Sequence, residues 1–489
     1  MQKLLARLSN STRAARTMRI GSILLAALIV GTVFVAGNSL ANSSNAVSDR
    51  EPDRTAAPSS GIAGSDPGQI VIASGSNRFA VWQDFTPGNY DVFFRRSTDN
   101  GATWQPTVNL SNNAGPSIDP QITVSGTNVY VVWTQENAAG TTVDAFFIRS
   151  TNNGATWGPK TTISTQDTDN RFVTNPQVAA TGAFVYITWY DAGAKDAFFR
   201  RSINNGGAFQ GVVNLSNSGT VDDVDSNRVA LAAAGTNVYA AWDDFYGSKD
   251  ILLKRSTNNG ATFSAIRNLT GVGGVDARGP DLAATGSNVY ATWTDTLGPK
   301  EYEVFFAKST NSGGTFSAKI NLSNNVGNSD FSQVAFSGVN VFVTWQDSTP
   351  GNSDIFMRRS INSGGSFQAF KNLSSNAGVS WYPQVATSGA NVYFTWQDNT
   401  PGNFDVFLRR STNNGGTLQP LVQISNNAGA SENPQVTTVG SNVYIIWQDN
   451  SPGNNEIIER RSHDNGATWQ PTQNLSSNAG SSEIPQIDG

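Results

Sequence analysis

Carboxylates recur along this 489-residue chain at spacings that could hold a metal ion or fold a turn. The stretch Ser97 to Trp104, STDNGATW, places Asp99, Asn100 and Gly101 in a row between hydroxyl residues and an indole. A second pattern sets two carboxylates seven residues apart around a turn: Asp84 with Asp91, Asp347 with Asp354, Asp398 with Asp405, and Asp449 with Glu456. Two carboxylates plus backbone carbonyls could grip Ca²⁺ across a hairpin. Turn chemistry is the competing account, with Asp accepting from local N–H groups around Pro-Gly. The repetition of the pattern favours the turn. A third set is cationic: Arg171, Arg228 and Arg278, whose guanidinium forks could clamp one carboxylate. At related places stand Asp119, Asp330, Trp381, Tyr382, Glu432 and Glu483. Ordinary loop charges are the plainer reading of this third set.

The elements that must position these residues are repeats. STDNGATW returns as STNNGATW, SINNGGAF, STNNGATF, STNSGGTF, SINSGGSF, STNNGGTL and SHDNGATW, with steps of 53, 52, 54, 53, 51, 51 and 51 residues. Between copies lie four short β-type segments, bounded by Gly, Pro, Asn and Asp. Segment A resembles PQITVSG (120–126), B is NVYVVW-like and ends on a Trp, C resembles DVFFRRS, and D is ATWQPTVNLS-like. A lone four-stranded meander leaves both faces wet, whereas a ring of sheets buries them and hides their edges. The sequence therefore predicts an all-β fold, an eight-bladed β-propeller over residues 67–489. The closing IPQIDG (484–489) reads as the start of a ninth A segment that helps close the ring.

In each eight-residue box the chain reverses direction. Asp or Asn at the third position bonds the backbone ahead of it, and Gly at the fifth supplies a positive φ. Asp99 and Asp464 keep the carboxylate. Asn152, Asn204, Asn258, Asn311, Asn362 and Asn413 replace it. Six amides in eight copies make the box a poor metal loop, and no metal or other cofactor is expected, with Ca²⁺ the weak exception. The chain has no Cys and a single His, His463, so thiol chemistry and His-rich metal sites are excluded. Asn109, Asn214, Asn268, Asn321, Asn372 and Asn474 begin NL[ST] sequons that also read as the end of segment D.

Residues 1–41 carry five basic and no acidic side chains, and Ile20 to Gly37 is an apolar run. They read as a signal peptide, with SLA at 39–41 for cleavage, or as a membrane anchor if uncut. Residues 42–66 are polar and aperiodic, a disordered linker. Without the leader, 27 basic residues face 37 acidic ones, which excludes the basic footprint of a nucleic-acid binder. The expectation is an extracellular or cell-surface protein, touching a membrane only through an uncleaved leader.

The box S-x-D-x-G-x-T-W resembles the Asp box, or BNR repeat, of the sialidase-like β-propellers. The resemblance covers about residues 69–476 and implies that the boxes lie in C–D turns, away from the active face. It further implies, for a sialidase, an arginine triad (Arg171, Arg228, Arg278), a Tyr nucleophile (Tyr382) paired with Glu432, and Asp330 as acid/base. Asp119, Trp381 and Glu483 fall on the same face as ligand contacts. The chain lacks the family's F/Y-R-I-P motif, and sialidase propellers have six blades. Binding of glycans or cell-surface proteins is therefore placed ahead of hydrolysis, with a purely architectural surface role as the remaining alternative.

Overall fold

The computed structural model describes residues 75–165, 172–216, 229–245, 249–271, 276–298 and 301–488. The leader, the linker, Arg171 and Arg228 lie outside these residues. Among the described residues there is no helix, hence none that is long and apolar enough to cross a membrane.

The described residues form thirty-two strands in eight four-stranded antiparallel sheets. Each sheet runs A–B–C–D, and the A strands of successive blades pack side by side until the ring returns to its start. In blade 2 the strands are A (Ser117–Ser125), B (Asn128–Glu136), C (Val143–Ser150) and D (Thr161–Thr162). Blade 1 is assembled from both ends of the propeller sequence. Its B, C and D strands are Arg78–Asp84, Asp91–Ser97 and Val108–Asn109, and its A strand is Ser482–Asp488. Ala80 pairs with Ile487 and Asp84 with Ser482. The last segment thus closes the ring by hydrogen bonding and covers the inner edge of strand B in blade 1.

Strand D is shorter than the ten-residue segment expected from sequence. Only two residues pair with strand C in each blade, as in Phe93 with Asn109 and Phe94 with Val108. The box residues instead fold into the turn, and the chain then crosses Gln105 and Pro106 before pairing begins. In the blades that carry Pro here, as at Pro106, the proline ring removes a ladder donor; blades with Gly or Ala at the same place pair over the same two residues.

The apolar core lies between blades. Strand alternation sends one set of side chains to each neighbouring sheet, giving eight clusters, each shared by two blades. The Trp ending each B segment is fully buried and, in six blades, stacks on the cross-strand Phe of strand C, for example Trp133 on Phe146 at 6.0 Å. Truncating such a residue costs about 3–5 kcal/mol.

Candidate functional site

Two kinds of loop leave the ring, on opposite faces. The boxes sit beside the A–B turns, since Asn100 N–H donates to Ser76 O and Asn153 N–H to Thr127 O. The B–C turns sit beside the D–A loops, since the Asn89 side-chain amide donates to Gly115 O.

The box bonds are made within each copy. Ser97 Oγ donates to Asp99 Oδ1 at 2.7 Å and accepts from Gly101 N–H at 2.8 Å. Thr103 donates its N–H and its hydroxyl to Asp99. In the Asn copies the geometry is kept: Asn152 Oδ1 accepts from Ser150 and from Thr156 N–H, while its amide donates to the Thr156 hydroxyl. Burial pushes the Asp99 carboxyl up, but the bonds from Thr103 and Ser97 outweigh it and hold the pKa at about 2. Asp464 is lowered too, first by the Thr468 hydroxyl. The Arg just before the last Ser of strand C reaches across to the next box, as in Arg149 Nη1 to Asn205 O at 2.6 Å. The box aromatic packs edge-on against the preceding blade, Trp157 on Phe94 at 4.7 Å and Phe209 on Phe147 at 4.9 Å. The box is therefore a clasp between blades as well as a turn.

The paired carboxylates are saturated by protein donors. Asp84 accepts from Trp82 Nε1, Thr86 N–H, Asn478 and Ser482. Asp347 accepts the equivalent set from Trp345, Thr349, Asn325 and Ser329, and Asp398 from Trp396, Thr400, Asn376 and Ser380. Their partners across the hairpin tie strand C to strand D: Asp91 accepts from Asn109 and Ser111, Asp354 from Asn372 and Ser374, and Asp405 from Gln423 and Ser425. Asn109 and Asn372 are sequon residues whose amides are engaged in these bonds. Among the described residues no three His, Cys, Asp or Glu side chains gather as a metal site requires.

The opposite face is organised by a bulge at the start of strand A. In blade 2 the pairing skips between Ile118 and Gln121, and Asp119 takes φ +55°. The same left-handed position holds Asn175, Phe331, Tyr382, Asn433 and Ile484, with Gly279 in blade 5. Left-handed backbone is easy for Gly and Asn and costly for an aromatic or β-branched residue. A Gln in strand B of the preceding blade caps this bulge: Gln397 accepts from Asn433 N–H at 2.9 Å and Gln83 from Asp119 N–H at 3.2 Å. Since A is the innermost strand, the bulge residue and the one before it stand where the ring opens.

The candidates fall at these two positions in three groups. Arg278 and Asp330 meet at 3.4 Å on blades 5 and 6. The same guanidinium approaches Asp276 at 4.0 Å and stacks 3.7 Å over the Tyr302 ring. Thr294 Oγ1 donates to Asp330 at 3.0 Å. On blades 6 and 7, Tyr382 packs edge-on against Phe331 at 5.4 Å and lies beside Trp381, which leans on Phe404 at 5.2 Å. All four rings are half-buried. On blades 8 and 1, Glu432 accepts from Gln448, and Glu483 from Tyr90, Asn455 and Ser481. Burial, with repulsion from Glu483, raises the Glu432 pKa, and burial with Glu483 raises Tyr90 to about 12. Asp119 stands apart. It is 4% exposed, its Oδ1 has no partner, and burial raises its pKa to about 7. Phe331, Phe404 and Tyr302 were not singled out from sequence. Phe331 was findable, as the aromatic departure in a repeat column that otherwise holds Asp, Asn or Gly in four of seven described blades.

The chain matches no known protein-family profile and no curated protein. Solved structures do match. A puromycin-hydrolysing peptidase of Mycobacterium tuberculosis is 15% identical with a TM-score of 0.47, over 75% of this chain and 53% of that one. A polysaccharide lyase, the ulvan lyase of family PL25, is 10% identical with a TM-score of 0.43, over 77% and 93%. The propeller domain of the Trilobed protease from Pyrococcus furiosus is 9% identical with a TM-score of 0.44, over 75% and 99%. The chain spans about half the length of the peptidase. At these identities and TM-scores the likeness says nothing of activity or ligand.

Proposed function

We propose that this is an exported, sialidase-like propeller that binds glycans, free or on cell-surface proteins, with the face opposite its boxes. The carrying observation is the run of four half-buried rings, Phe331, Tyr382, Trp381 and Phe404, on blades 6 and 7. Two of those rings stand on left-handed backbone that disfavours them. An apolar shelf beside a few fixed polar groups is the general form of a small-ligand site. Sugar ring faces would lie on the aromatics, and hydroxyls would donate to Asp330 and Glu432. Arg278 is already held between Asp330 and Asp276, so an acidic sugar would have to displace those carboxylates. Neutral or amino sugars fit better than a sialic acid clamp.

The test is titration of the purified propeller against neutral, amino and acidic oligosaccharides, followed by Trp381→Ala and Tyr382→Ala. Binding that both variants weaken about tenfold, ~1.4 kcal/mol, supports the reading. No binding to any oligosaccharide overturns it. A sialoside reporter forms the separate arm: turnover that Arg278→Ala abolishes would replace binding by hydrolysis.

A further inference from the structure

Seven of the eight interfaces between blades follow one pattern, and the interface between blades 8 and 1 breaks it. The first residue of strand B's NVY motif is followed by a fully buried Val in seven blades, from Val129 to Val443. In blade 1 the position holds Arg78, equally buried. The residue three before the last Ser of strand C is apolar and buried in seven blades, among them Phe94, Phe147, Met357 and Leu408. In blade 8 it is Glu459, 1% exposed. Both departures face the same seam. The apolar cluster there has seven buried members, against ten to fifteen at the other interfaces.

Around these charges the usual contacts are rewired. Glu459 Oε2 accepts from the indole of Trp104 at 3.1 Å, where the box aromatics Trp157, Phe209, Phe263 and Phe367 meet a Phe. Arg461 lies 3.7 Å from Glu459 and donates to Gly101 O. The Arg78 guanidinium sits 4.8 Å over the Tyr444 ring and donates to Asn100 Oδ1 at 2.8 Å. Tyr444 in turn donates to Asn100 O at 3.3 Å. Seven other interfaces show that apolar residues satisfy the packing. Charges here therefore do something that packing alone does not.

We propose that Arg78, Tyr444, Glu459 and Arg461 form a lock that makes blade 8 the one correct neighbour of blade 1, so that the ring closes on eight blades. The need follows from the repeats. The closing strand begins Ser482-Glu-Ile-Pro-Gln, and strand A of blade 8 begins Ser431-Glu-Asn-Pro-Gln. Asn478 and Ser482 bond Asp84 as Asn427 and Ser431 bond Asp449. Strand A of blade 8 could thus take the place of the closing strand and shut a seven-bladed ring, leaving the rest of blade 8 outside. In that ring Arg78 would meet Leu408 of blade 7 rather than an acid, and Glu459 would be stranded. Strand pairing cannot separate the two closures. The buried charges can.

The full chain is unfolded, refolded at pH 8.5, where Glu459 is ionised, and followed by hydrogen exchange of peptides from blade 8. The wild type should show one protected population. Arg78→Val with Glu459→Leu restores the common pattern and should show two, one protected and one exchanging fast. Glu459→Gln keeps the volume, removes the charge and should show the same split, with a smaller fast fraction. A single protected population in Glu459→Gln overturns the proposal, whether or not the double variant folds.

Discussion

On the box face every blade keeps the Ser, Asp-or-Asn and Gly bonds within its turn. On the opposite face one repeated position holds Arg278, Asp330, Trp381, Glu432 and Glu483 in successive blades. Both faces rest on left-handed residues. In the box these are Asn, Ser and Gly, which tolerate the conformation. At the bulge they include Tyr382, Phe331 and Ile484, which do not. The difference separates repetition that holds blades together from variation placed on a fixed scaffold, where a ligand surface is cheapest to build.

The largest effect should come from breaking the clasp. Gly206 has φ +74°, and a Cβ there would lie 2.6 Å from Phe147 Cζ in the blade before. Gly206→Ala should cost about 2–4 kcal/mol in denaturant unfolding, with overpacking added to a strained backbone. A loss below ~1 kcal/mol would mean the blades do not depend on this contact.

Tyr382→Asn sharpens the contrast on the other face. Asn already occupies the same position as Asn175 and Asn433. Stability should stay within about 1 kcal/mol. Glycan affinity should fall about tenfold, ~1.4 kcal/mol. Equal losses in both would make Tyr382 structural.

The seam offers a test in pH. Glu459 is packed against Trp104 and Gly101 of blade 1, Arg461 on its own strand, and Tyr444 and Arg78. Burial dominates over both arginines and raises its carboxyl to about 7. A folded pKa above the unfolded one gives a contribution fully present below the ordinary Glu range and lost as pH rises through about 7. Stability should therefore decline from pH 5 to 8 in the wild type by more than in Glu459→Gln, by thermal melts at fixed ionic strength.

Asp99→Asn should have the smallest effect, within about 0.5 kcal/mol at neutral pH, because six boxes already use the amide. Its signature lies in acid. Asp99 has a lowered pKa, so its contribution is present above the usual carboxyl range and lost as pH falls through about 2. The Asn variant should lack that part of the acid limb.

Eight boxes at near-constant spacing, β-branched runs and a Trp per repeat were enough to predict eight four-stranded blades. Local propensity and turn chemistry act within a few residues, and the chain prints them eight times. The closing segment was legible as a ninth A strand, but not its register. The short strand D was missed, because Val108 and Asn109 pair with strand C only after the box has folded away. Trp381, Tyr382, Asp330 and Glu432 were read as divergent loop residues. Phe331 meets a partner one repeat away, Tyr382, and Phe404 meets Trp381 only once its own blade has folded.

What the sequence determined by itself, then, is the blade: its strands, its turns and the number of copies. Tertiary structure alone decided which residues of different blades meet. Arg278 finds Asp330 about fifty residues away, Phe331 finds Tyr382, and Tyr444 and Trp104 flank charges from opposite ends of the chain. Those contacts depend on the curvature of the ring and on a bulge that turns one residue out of its strand. Neither property belongs to a single repeat.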